Sequence, residues 1–97
     1  MSTRADRIAA LLRQGFSPTT LRIVDDSARH AGHAGAAPGG QTHLSVLLVA
    51  DAFRGRSRVD RSRAVHAALA AEFADGLHAL ALTLRTPEEH GPEATAN

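Results

Sequence analysis

The chain contains no cysteine, which removes disulfides, a thiolate nucleophile and any self-supplied thiolate cage for zinc or an iron-sulfur cluster. A soft-metal site here would have to borrow sulfur from a partner. Lysine is absent too: all eleven basic side chains are arginine, set against ten acids for a formal net charge of +1. Such a balance does not announce a nucleic-acid binder. Tryptophan and tyrosine are missing and phenylalanine occurs three times, which argues against reading single strands by base stacking. No apolar run approaches the roughly 18 residues of a membrane span, and the N-terminal MSTRADRIAALL lacks a secretory apolar core. Cytoplasmic residence without membrane contact is the expectation. Enzymatic templates are lacking as well. No serine sits in G-x-S-x-G, and Gly32, Gly35, Gly39 and Gly40 precede a strand pattern, not the helix that a phosphate loop needs. Asp25 and Asp26 are adjacent, so on a strand they face opposite ways and cannot pair. Catalysis is not expected.

What is present is one domain's worth of chain, 97 residues without an internal repeat. Residues 1–90 carry the domain signals and residues 91–97 (GPEATAN) read as a polar, frayed tail. Ile8, Leu11, Leu12 and Phe16 recur at helical spacing, with Thr3 and Asp6 as a capping-box pair, and predict a helix over 4–16 that ends near Gly15. Ser17-Pro18 breaks it. Thr20 to Ser27 alternates as a half-buried strand, and Thr42 to Ala50 (THLSVLLVA) is a second strand, antiparallel to it. Ser57 and Asp60 cap a second helix, patterned by Val59, Val65, Leu69 and Phe73, that runs to about Asp75 with Gly76 as its stop. Leu77 to Leu84 is a third strand reached by a right-handed crossover. Thr86-Pro87-Glu88-Glu89 predicts a final helical turn. The expected class is α+β: helix, strand, strand, helix, strand, with a three-stranded mixed sheet and helices packed on one face.

Two features carry possible chemistry. The segment Ser27 to His43 (SARHAGHAGAAPGGQTH) is too rich in Gly, Ala and Pro for a helix or strand, and it holds three of the six histidines. His30 and His33 have a metal-chelating His-x-x-His spacing, although a flexible loop constrains little and solvated histidines are the simpler reading. His43 opens the second strand, where a hydrogen bond and ligation are both open. His78 lies at a strand end on the face of Leu80, Leu82 and Leu84, where an apolar residue is expected; His66 sits beside Val65 as a packing residue. The second feature is basic: Arg54, Arg56, Arg58, Arg61 and Arg63 fall within ten residues with only Asp60 among them. They could hold phosphates, dock an acidic partner, or form a solvated face.

Several spaced motifs coincide with one family. Phe16-Ser17-Pro18 follows helix one, Asp25-x-Ser27-x-x-His30 enters the loop, and Thr42-His43 opens strand two. Phe53-x-Gly55 precedes the basic helix, and His78-Ala79-Leu80 is followed by Thr86-Pro87-Glu88-Glu89. On these the chain resembles BolA-family proteins over about nine tenths of its length. It differs in Arg61-Ser62-Arg63 where many members have Arg-His-Arg, in Leu44 where Phe is common, and in His90 where Trp is usual. The resemblance implies a fold similar to class II KH domains and a non-enzymatic role with monothiol glutaredoxins in iron-sulfur cluster assembly or trafficking. It implies a 2Fe-2S cluster shared with a glutaredoxin cysteine and a glutathione thiolate, with His78 as one ligand and His30, or its competitor His33, as the other. Imidazole ligation would raise the reduction potential and make the complex acid-sensitive. The family also brings a rival role, a DNA-binding transcriptional regulator using Arg54, Arg56, Arg58, Arg61 and Arg63 on duplex DNA. The free chain is expected to be a monomer or weak dimer.

Overall fold

A computed structural model of the protein describes residues 3–26 and 42–91. His30, His33 and the tail 92–97 lie outside the described residues. Helix α1 (Arg4–Phe16) starts where the Thr3 hydroxyl accepts from the Asp6 N–H and the Asp6 carboxylate accepts from the Thr3 N–H, closing the expected capping box. Ile8, Leu12 and Phe16, each four residues on, form its buried stripe. The helix ends at Phe16, not Gly15: Pro18 bars a right-handed helical turn at Ser17, which instead caps the helix in the left-handed region at φ 48°.

Strand β1 (Thr20–Asp25) pairs antiparallel with β2 (His43–Val49), Thr20 opposite Val49 and Asp25 opposite Leu44. Strand β3 (Ala79–Arg85) pairs parallel with β2, His43 opposite Ala79 and Val49 opposite Arg85, so the sheet order is β1-β2-β3. The strand begins two residues later than its sequence pattern suggests, because Leu77 turns into the core and His78 lies before the ladder. Leu44, Val46 and Leu48 point from the central strand into one core with Ile8, Leu12, Phe16, Phe53, Val65 and Leu69. The helices thus cover one face, as expected. The opposite face carries half-buried or exposed residues such as Val24, Ser45, Ala81 and Thr83.

The second helix is where pattern and structure part. It is broken at Leu69 into α2 (Arg58–Ala68) and a short α3 (Ala70–Ala74). Val59, read as a core position, is 56% exposed, and the buried stripe is Arg61, Val65, Leu69 and Glu72. Two charged residues therefore occupy helical core positions, which their pairing makes tolerable. Glu72 accepts from Arg4 and Arg7 of α1 at 2.9 Å, tying that helix to α3. Arg61 is matched by Glu89 of the last helical turn, α4 (Pro87–His90). Among the described residues no helix is long and apolar enough to cross a membrane.

Candidate functional site

Parallel pairing of β2 with β3 brings the two strand starts to the same end of the sheet. There the Thr42 carbonyl accepts from both the His78 N–H (2.9 Å) and the Ala79 N–H (3.1 Å). Leu77, buried beside them, fixes His78 from the other side, and its N–H is held by the Glu72 carbonyl at 3.0 Å. The turn from α3 into β3 passes through Gly76 at φ 117°, a conformation that suits glycine. The side chain of His78 is exposed at this anchored point. Its ring lies 6.0 Å from that of His43, centroid to centroid, at 56°. The Nδ1 of His43 is 3.0 Å from the Thr42 hydroxyl, which orients the ring.

The base of the histidine-rich segment is at the same place. Asp26, the last described residue before it, donates its N–H to the His43 carbonyl at 2.7 Å and accepts from the Ser45 hydroxyl. Thr42, the first described residue after it, is the acceptor for His78. The two described residues that flank the segment containing His30 and His33 thus lie at this end of the sheet, Asp26 against His43 and Thr42 against His78. The proximity of His43 and His78 was missed in sequence, although a signal existed: two strands joined by a crossover, one opening on a histidine and the other directly preceded by one. Among the described residues no group of three or more His, Cys, Asp or Glu is assembled as a metal site.

The five arginines of the basic cluster do not form one surface. Arg61 is 7% exposed. Its Nε donates to the Arg56 carbonyl at 3.0 Å, Nη1 to the Leu84 carbonyl at 3.3 Å, and Nη1 and Nη2 to the Glu89 carboxylate at 2.6 and 3.1 Å. Its guanidinium also lies over the Phe53 ring, 5.7 Å from the centroid. Arg61 is consequently a buried structural group and does not belong to an open phosphate-binding face. Arg54 is exposed but paired with Asp51 and Glu88. Arg56, Arg58 and Arg63 are exposed, and their side chains enter no ion pair among the described residues. The Arg61 hydrogen bonds, reinforced by the Thr86 N–H, lower the Glu89 carboxyl from 4.5 to about 2.

Residues 12–89 match the family described as BolA-like protein. The chain is 42% identical over 84 residues to BolA-like protein 1 of Pongo abelii, covering 87% of this chain and 58% of that protein. It is 39% identical over 84 residues to the DNA-binding transcriptional regulator BolA of Escherichia coli, covering 87% and 76%. It is similar to one part of SufE-like protein 1 of Arabidopsis thaliana, 39% identical over 93 residues, which span 92% of this chain but only 25% of that protein. The solved BolA domain of that Arabidopsis protein superposes with a TM-score of 0.81 at 38% identity, covering 92% of this chain and 98% of the domain. Family match, identity and shared three-stranded α+β architecture agree over the same residues, and the chain belongs to the BolA-like family.

Proposed function

We propose that this protein is a non-enzymatic adaptor that binds a monothiol glutaredoxin and supplies His78, with a loop histidine, to a bridging 2Fe-2S cluster. The observation that carries the reading is the exposed His78, held by the carbonyl of Thr42, the first described residue after the segment bearing His30 and His33. The donor chemistry fits a shared group. The chain offers imidazoles, 6.0 Å apart for His43 and His78, but has no thiolate and no three-ligand cluster among its described residues, so it can complete a site without owning one. When bound, the cluster would provide iron that accepts a neutral imidazole nitrogen. The protein's part is to hold one imidazole on a rigid sheet end and to bring another from the adjoining segment.

Mixing the protein with a cluster-loaded monothiol glutaredoxin should change the visible circular dichroism of the cluster, and His78→Ala should abolish that change. His78 is exposed, so the variant is expected to keep the wild-type far-ultraviolet spectrum. A folded variant that still gives the full spectral change would end the ligand assignment.

A second reading, duplex DNA binding in transcriptional regulation, is favoured by the description of the Escherichia coli relative and by the exposed Arg58 and Arg63, whose side chains enter no ion pair among the described residues. It predicts salt-dependent binding whose log-log slope falls by about 1 on neutralising either residue. No binding at low ionic strength would remove it.

A further inference from the structure

Among the described residues β3 is an edge strand, and its C-terminal half and the N-terminal half of α2 line a cleft of about 760 Å³. That volume is in the range of small-molecule sites, roughly 300–1,000 Å³. The cleft is lined by arginines from different elements: Arg56 and Arg58 around the start of α2, and Arg85 from the end of β3. None of these three side chains is in a hydrogen bond or ion pair among the described residues. The acid at the cleft, Glu89, is already matched by the buried Arg61, so it does not offset them. Ser57, Ser62 and Thr83, each carrying a hydroxyl, complete the lining. Arg63 is not part of it.

Three uncompensated cations around one concave space repel one another, and a single carboxylate would balance only one. A phosphoryl group carries about 1.5 to 2 negative charges and three acceptor oxygens, and guanidinium forks bind it bidentately. We propose that this cleft binds a small phosphoryl-bearing anion, held by Arg56, Arg58 and Arg85 with hydroxyl support. The site is separate from His78: Ala79, Leu80 and Ala81 precede its first β3 residue, Leu82, and its strand cation, Arg85, is seven positions on from His78, roughly 23 Å of extended chain. It also differs from a basic helix face laid on a duplex, because its third cation comes from the sheet and Arg63 is not used.

The test is titration of inorganic pyrophosphate, and separately AMP, into the isotopically labelled full chain, followed by amide NMR. Saturable shifts are expected at Ser57–Ser62 and Thr83–Arg85. Arg58→Gln and Arg85→Gln should each raise the apparent Kd about tenfold, the worth of a charge-assisted hydrogen bond, whereas Arg63→Gln leaves it within about twofold. Tighter AMP would assign an organic phosphate, with its apolar part on Leu82 and Leu84; tighter pyrophosphate would assign inorganic phosphate. The proposal is overturned if neither probe shifts these amides. It is equally overturned if Arg63→Gln weakens binding as much as Arg85→Gln while a short duplex displaces the probe, since the ligand would then be nucleic acid on the whole basic surface.

Discussion

Replacing Glu72 by glutamine removes the anion that joins α1 to α3 and leaves its cations in place. The Glu72 side chain is 8% exposed and Arg4 only 13%. The carboxylate accepts from Arg4 Nη1, Arg7 Nε and Arg7 Nη2, each at 2.9 Å. A glutamine keeps one acceptor and turns an amide N–H₂ towards guanidinium donors. Breaking a buried pair from one side costs about 3–5 kcal/mol in general. Arg7 is 40% exposed and can rehydrate, and Asp75 lies 3.6 Å from Arg4, so the low end, about 3 kcal/mol, is expected. With an unfolding entropy of roughly 2.1 cal/mol/K per residue, a 97-residue chain should lose about 15 °C in Tm. Thermal and urea unfolding followed by far-ultraviolet circular dichroism measures both figures. Asp75→Asn is the control, because the Asp75 side chain is 71% exposed, and it should shift Tm little. The Arg7 hydrogen bond holds the Glu72 carboxyl below its ordinary 4.5. The stability it contributes is therefore complete above about pH 4.5 and is lost as pH falls through the depressed value. Glu72→Gln should remove that part of the acid sensitivity. A loss under about 1 kcal/mol, or an unchanged acid profile, would refute the assignment of the pair as an interhelical tie.

Arg61→Gln should lower Tm while Arg63→Gln leaves it unchanged, because only Arg61 is buried against Phe53 and Glu89; equal effects would contradict the inward placement. Carboxyl NMR titration should find Glu89 near 2 and, in Arg61→Gln, part of the way back to 4.5, since the Thr86 N–H remains. The stability Glu89 contributes is present above about 4.5 and lost as pH falls towards 2. In the glutaredoxin assay, His43→Ala should keep the cluster spectrum that His78→Ala abolishes; the reverse pattern would move the ligand role to His43.

The histidine pair and the arginines separate what linear pattern can express from what it cannot. Short-range rules hold where the physics is local. The Thr3–Asp6 and Thr86–Glu89 capping boxes close as read, and the Ile8-Leu12-Phe16 stripe is the buried one. Alternation likewise placed β1, β2 and β3 within about two residues of their ends. The misreadings arise where a distant element decides. Val59 satisfies helical spacing as well as Val65 does, and only the orientation of α2 over the sheet leaves it in solvent. Arg61 and Glu72 sit four residues before Val65 and three after Leu69, in register with the buried stripe. Sequence placed Arg61 in the basic cluster and did not single out Glu72, because the partners that permit burial are 28 residues onward for one and 65 and 68 residues back for the other.

The sequence by itself determined the class of fold, the absence of any thiolate and the presence of a histidine at the start of β3, since these depend on composition, periodicity and capping. Tertiary structure alone decided that His43 stands beside His78, that the histidine segment is rooted there, and that the arginine run splits into a buried anchor, an exposed pair and the walls of a cleft closed by Arg85. Each of those depends on strand register and on the side of the sheet the helices cover, and both are set by contacts between residues far apart in the chain.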